Sequence, residues 1–220
     1  ADDAEIASLG LMNLGVAETW TLRLDDAEAH LQQGLELARK AGRPFVEVGC
    51  LGALGTHAHL AHRLTRADEL LREAIALAER HGWATHPIIG ATYLTLGAVQ
   101  IDRGMIAEGE RWLATAEPIL ADAPEPAASV GLAHTQGMAA FASGRLADAL
   151  AAYREGERLT GQLRAPHFLA VVERAWQLRT QLALGETEPV REALAAAQDG
   201  GAFTLGLTGR LRLHEGDPAA

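Results

Sequence analysis

The sequence holds a single cysteine, Cys50, among 220 residues. That excludes an internal disulfide and suits a reducing, cytoplasmic setting. Aromatic residues are scarce at 5%. β-branched residues are sparse too, and Ala and Leu dominate the apolar fraction, so little is available to build a sheet. No run approaches the ~20 apolar residues of a membrane-spanning helix, and the N-terminal stretch does not read as a secretory signal. Basic residues are outnumbered. The formal net charge of −10 argues against direct binding to nucleic acid, which needs a basic surface.

Motifs that carry chemistry are also missing. There is no glycine-rich phosphate loop. Ser8, Ser129 and Ser143 lack a strained nucleophile elbow. No carboxylate dyad sits where its pKa would be raised. His57, His59 and His62, with His81 and His86 nearby, invite a metal reading. However, His57 and His59 point to different sides of a helix, and no cysteine or carboxylate joins His59 and His62 at ligand spacing. Neither an enzymatic role, a cofactor nor a metal site is expected. Cys50 lies in an apolar helical stretch and reads as a small core residue.

What is present is a repeat. Gly15, Gly55, Gly97 and Gly137 are 40, 42 and 40 residues apart. A second column, Ala27, Ala67, Gly109 and Ala149, keeps the same intervals. Four residues further on stand large apolar residues, Leu31, Leu71, Leu113 and Tyr153, and three beyond those small ones, Gly34, Ala74, Ala116 and Gly156. A fifth unit places Leu178 at the glycine position, Leu194 at the large one and Ala197 at the small one. Such steps keep apolar residues on one helical face, and small residues let two helix backbones approach. One helix pair cannot bury its face alone, so neighbours stack into a solenoid.

Pro44, Pro87, Pro126 and Pro166 fall where each new first helix begins. Gly42 and Gly82 fall just past second helices, where a C-terminal cap belongs. The predicted helices are 2–21, 24–41, 44–62, 64–82, 87–103, 106–121, 127–143, 146–163, 166–184, 187–198 and 202–214. They form one all-α repeat domain over 1–220, with units near 2–42, 43–83, 84–122, 126–164 and 166–199 and a partial one at 201–220. Asp122 to Pro126 and Gly200-Gly201 read as breaks. Residues 213–220 resemble 184–191, the turn into a second helix, so the chain is expected to be a piece of a longer protein cut within a sixth unit.

These columns resemble the tetratricopeptide repeat, whose first helix carries a small residue and whose second carries an alanine. That resemblance implies a right-handed superhelix of antiparallel helix pairs. The units here run near 40 residues against the ordinary ~34. With phrases such as ADELLREAIALAERHG (67–82) and GRLADALAAYREGERL (144–159), they look like the sensor region of MalT-like regulators. These are large LuxR-type transcription activators with an ATP-binding module before the repeats and a helix-turn-helix domain after them. The resemblance implies a cytoplasmic sensor that takes a small effector in its concave groove and acts on the parent's ATPase and DNA-binding domains.

First helices line the concave side of such arrays. Counting −6, −3, +1, +4 and +5 from each anchor selects an inward stripe, from which Met12, Val16, Trp20, Thr56, His59, Leu94, Ile101, His134, Met138, Phe141 and Arg179 are the expected ligand contacts. An apolar, aromatic lining with a few convergent polar groups suits a fairly apolar small molecule. Packing between helices is the competing reading for Met12, Met138 and Phe141, and covering the end of the array for Trp20. Trp83, Trp112 and Trp176 lie off the stripe and read as packing residues. Glu28, Glu36, Asp68, Glu69, Glu73 and Glu79 read as a solvated second-helix face. The alternative function is a scaffold whose groove holds a partner's helix or peptide.

Overall fold

A computed structural model describes residues 3–122, 126–163, 168–196 and 202–216. Among them are eleven helices and no strand: α1 Asp3–Trp20, α2 Leu24–Lys40, α3 Pro44–Leu60, α4 Leu64–Arg80, α5 Pro87–Asp102, α6 Ile106–Asp122, α7 Pro126–Ala142, α8 Leu146–Thr160, α9 Leu169–Ala183, α10 Thr187–Ala196 and α11 Ala202–His214. Each end falls within a few residues of the sequence expectation. The turns foreseen at 122–126 and 200–201, and Pro166, lie wholly or mostly outside the described residues. No described helix is long and apolar enough to cross a membrane.

The sequence columns meet in space. A Cβ on Gly15 would stand 2.5 Å from Leu31 Cγ, one on Gly55 2.5 Å from Leu71 Cγ, and one on Gly137 2.5 Å from Tyr153 Cε1. The anchor glycine of each first helix is thus the seat for the large residue of its second helix. In the third unit the backbones close further, with a Cβ on Gly97 reaching 3.1 Å from the Gly109 carbonyl. First helices are enclosed by their own second helix, the preceding one and the neighbouring first helices. That is why α5 is apolar nearly all round, with eleven buried residues. Second helices keep an outer charged face, and arginines there tie one unit to the next: Arg63 to Glu28 at 3.1 Å, Arg103 to Asp68 at 3.2 Å, Arg145 to Glu110 at 2.8 Å. The solvated face expected there is therefore also an inter-repeat ladder, each exposed rung contributing little.

Every described turn from first to second helix closes in one way. Backbone N–H groups of Arg23, Arg63, Met105, Arg145 and Glu186 reach back to the carbonyls of Glu18, Ala58, Gln100, Ala140 and Gln181, the six-to-one bond of a Schellman cap. The residue before each must turn left-handed. Gly104, Gly144 and Gly185 do so at φ +79°, +74° and +84°, whereas Leu22 and His62 do so at +59° and +55°. A left-handed leucine carries about 1–2 kcal/mol of steric cost. Leu22→Gly is expected to raise stability by about 0.5–1 kcal/mol, read as a higher denaturation midpoint with an unchanged slope.

Candidate binding face and the junction of the fourth and fifth repeats

The face of the first helices is set by their packing. The column three residues before each anchor turns sideways: Met12 fills the space a Cβ on Gly49 would need, and Leu94 lies 3.2 Å from the corresponding point on Gly131. Ile101 packs on Gly109 of its own second helix. Leu94, Ile101 and Met138 are 7%, 6% and 8% exposed. Val16 is half-buried, and Trp20, at the end of α1, is exposed. Thr56 Oγ1 donates to the Gly52 carbonyl and stands 3.2 Å from Thr95 Oγ1 on the next first helix. His59 Nε2 meets Asp102 Oδ2 at 2.7 Å. The residues left on the surface between these contacts include Ala53, Thr56, Ala91 and Thr95, a strip of small side chains.

His57 is a core residue. Its Nε2–H donates to the Leu24 carbonyl at 2.9 Å, and its Nδ1 accepts from Arg63 at 3.1 Å, which fixes one neutral tautomer. Cys50 is buried against Gly34, and burial pushes its thiol up to about 12. Among the described residues no group of three potential ligands could hold a metal. Trp112 stacks on Tyr93 at 5.7 Å and Trp83 meets Phe45 edge-on at 5.4 Å, both packing residues as expected.

His134, Phe141 and Arg179 come together at one place, between α7, α8 and α9. Tyr153, fully buried, stacks on Trp176 at 5.6 Å and tilts against His134 at 5.8 Å. Phe141 meets Trp176 edge-on at 5.4 Å. The Arg179 guanidinium lies over both rings, 4.5 Å from Trp176 and 5.0 Å from Phe141. Trp176 is therefore both a packing residue and part of this cluster.

Beneath the rings is a residue that lies off the stripe counted from the anchors. Glu173 stands where earlier first helices carry Cys50, Thr92 and Leu132, five residues before the anchor. It is wholly buried, and its carboxylate fills the space beside Gly156, 2.6 Å from where a Cβ would be. His134 Nδ1 is 3.0 Å from Glu173 Oε1, yet neither carboxylate oxygen makes an aligned hydrogen bond. Burial raises the Glu173 pKa, against the opposing pull of His134 and with the help of Glu157. The Tyr153 hydroxyl and Arg179 Nε are likewise buried without partners, and burial raises the one pKa and lowers the other.

The same edge of α9 continues with Gln177 and Thr180 where α5 has Leu96 and Val99. Gln177 Nε2 donates to Glu157 at 2.9 Å and to the Tyr153 carbonyl at 3.3 Å. One apolar core runs from Leu31 to Ala139, and another begins at Leu178. Between them lies this polar and aromatic seam. Two recesses, about 420 and 260 Å³, lie elsewhere, in equivalent grooves between successive second helices bordered by Glu110 and Arg145 and by Glu28 and Arg63.

No protein-family model matches the sequence, and no curated protein matches it. Solved structures do. A Rap protein complexed with competence and sporulation factor is similar at TM-score 0.61 and 19% identity, over 99% of this chain and 62% of that one. Pseudomonas aeruginosa pilF is similar at 0.60 and 17%, over 99% and 88%. A Podosopora anserina kinesin light chain of nearly identical TPR-like repeats is similar at 0.56 and 16%, over 98% and 97%. At these identities the likeness establishes the architecture: this chain is an all-α solenoid of tetratricopeptide-like repeats.

Proposed function

We propose that this chain is a non-catalytic binding module that holds a segment of a protein partner along its first-helix face. The observation that carries this reading is the strip of small residues Ala53, Thr56, Ala91 and Thr95 along successive first helices. A small molecule needs most of its surface enclosed. Here Met12, Leu94 and Ile101 are spent on closing helix against helix. A polypeptide gains its affinity from length along an open face instead. The likeness to a Rap protein complexed with competence and sporulation factor is in keeping with this. The resemblance to MalT-like regulators extends the proposal: occupancy of the face shifts the parent protein between resting and active states. A small, fairly apolar effector is the second reading, favoured by the rings of Phe141, Tyr153 and Trp176 beside His134 and Arg179.

Peptide display on the purified chain tests the first reading. Ala91→Tyr, at an exposed first-helix site, is expected to weaken selected peptides about tenfold, and Ala76→Tyr, exposed on a second helix, to leave them unchanged. A selection that enriches nothing, or peptides indifferent to Ala91→Tyr, overturns it. A thermal-shift screen of small metabolites tests the second, since a ligand of the native state raises its midpoint.

A further inference from the structure

The column directly after each anchor reads Val16, Thr56, Ala98 and Met138 through four units, then turns to arginine at Arg179. It does so again on α11. Gly216 takes the left-handed turn position there, φ +81°. Its counterpart Gly185 lies seven residues after Leu178, so the anchor of α11 is Gly209 and the next residue is Arg210. Helices α9 and α11 share one apolar cluster through Leu178, Leu182, Leu207 and Leu211. Two arginines therefore occupy equivalent stations on adjacent first helices, close enough for the charge of Arg210 to act against that of Arg179.

Arg39, Arg63, Arg72 and Arg145 all have carboxylate partners. Among the described residues no ion pair reaches Arg179 or Arg210, although acidic residues outnumber basic ones by ten across the chain. Arg179 is also held in place. Its plane rests on Trp176 and Phe141, and its Nε is buried with no acceptor. A guanidinium stacked in this way has already lost its rotamer freedom and part of its water. Its donors make a planar fork.

We propose that Arg179, with Arg210 beside it, receives a carboxylate carried by the bound polypeptide segment. This rests on the reading of the first-helix face as a protein-binding surface. A flat, singly charged carboxylate matches the planar fork, and its approach relieves the repulsion between the two guanidinium groups. A phosphate dianion sheds more hydration than one half-buried and one exposed arginine replace.

The probes are a short acetylated, amidated peptide alternating leucine and glutamate, its glutamine counterpart and a phosphoserine version, each labelled for fluorescence anisotropy against the whole chain. The glutamate peptide is expected to bind about tenfold more tightly than the glutamine one, with an advantage that shrinks as salt is raised. Arg179→Gln is expected to erase that advantage without changing helix content or the affinity of the glutamine peptide. Arg179→Lys is expected to restore little of it, because an ammonium does not supply the stacked fork. Arg210→Gln is expected to cost about twofold to threefold.

Equal binding of the glutamate and glutamine peptides overturns the inference, as does a preference that survives Arg179→Gln. Tighter binding of the phosphoserine peptide overturns the choice of carboxylate. If display selects peptides without acidic residues, this inference falls and the binding face stands. If neither test peptide binds and display enriches nothing, both fall.

Discussion

Replacing His134 with alanine is expected to destabilise the fold by about 3 kcal/mol, although the residue is half-buried and lies on a face proposed for binding. The reason is Glu173. Its carboxylate is wholly buried beside Gly156, and His134 Nδ1, 3.0 Å away, is the group that opposes the cost of burying it. Tyr153 and Glu157 face it from α8, and Glu157 adds repulsion. Removing one partner of such a pair strands the other charge out of water. Removing the charge itself has the opposite sign. Glu173→Leu matches Leu132 in the preceding unit and is expected to stabilise by about 1–3 kcal/mol. In the double variant, Glu173→Leu should abolish most of the His134→Ala penalty.

The pH dependence follows from direction alone. Burial raises the folded-state pKa of Glu173 above its unfolded value. Its contribution to stability is therefore fully present below the ordinary carboxylate pKa and lost as pH rises through the raised one. The His134→Ala deficit should be largest at neutral pH and shrink as pH falls through that window, because a protonated Glu173 no longer buries a charge for His134 to offset. Glu173→Leu should flatten this part of the profile. Denaturant melts across pH read all three variants. An equal penalty for His134→Ala with and without Glu173 would show that His134 stabilises by packing alone.

The fold was legible because a solenoid repeats its reasons. Gly15, Gly55 and Gly137 had to be small because Leu31, Leu71 and Tyr153 fill the space in front of them, and a column of small residues facing a column of large ones is visible without coordinates. The first-helix face was less legible. A count from the anchor gives the angle of a side chain but not what the next helix places beside it. Met12 and Leu94 were selected by angle, and the structure spends them against Gly49 and Gly131. Thr95, two residues before its anchor, was not selected and stands at the surface beside Thr56. The seam at α9 has its own signal in the sequence. Glu173, Gln177 and Thr180 stand in columns read by Thr92, Leu96 and Val99 in α5. A run of polar residues in register with a core edge marks a junction built differently from the others.

That junction decides where the array gives way. Tyr153→Ala is expected to cost on the order of 3–5 kcal/mol, the range for deleting a buried aromatic ring. Among the described residues Tyr153 is the largest fully buried side chain, and it packs against Gly137, His134 and Trp176 at once. In a repeat array the loss is felt mainly by the units that share the interface. The apolar core between Leu31 and Ala139 does not depend on this ring, whereas α9 joins the array through Tyr153, Trp176 and a polar edge. Hydrogen exchange should therefore show α9 opening early in Tyr153→Ala while α3 to α6 keep their protection. Tyr153→Phe separates ring from hydroxyl. The hydroxyl is buried without a partner, so its removal should be neutral or stabilising by up to about 1 kcal/mol. If Tyr153→Phe were instead as damaging as the alanine variant, the hydroxyl would hold the junction. If exchange in Tyr153→Ala rose evenly from α3 to α9, the units would unfold as one body and the seam would not divide them.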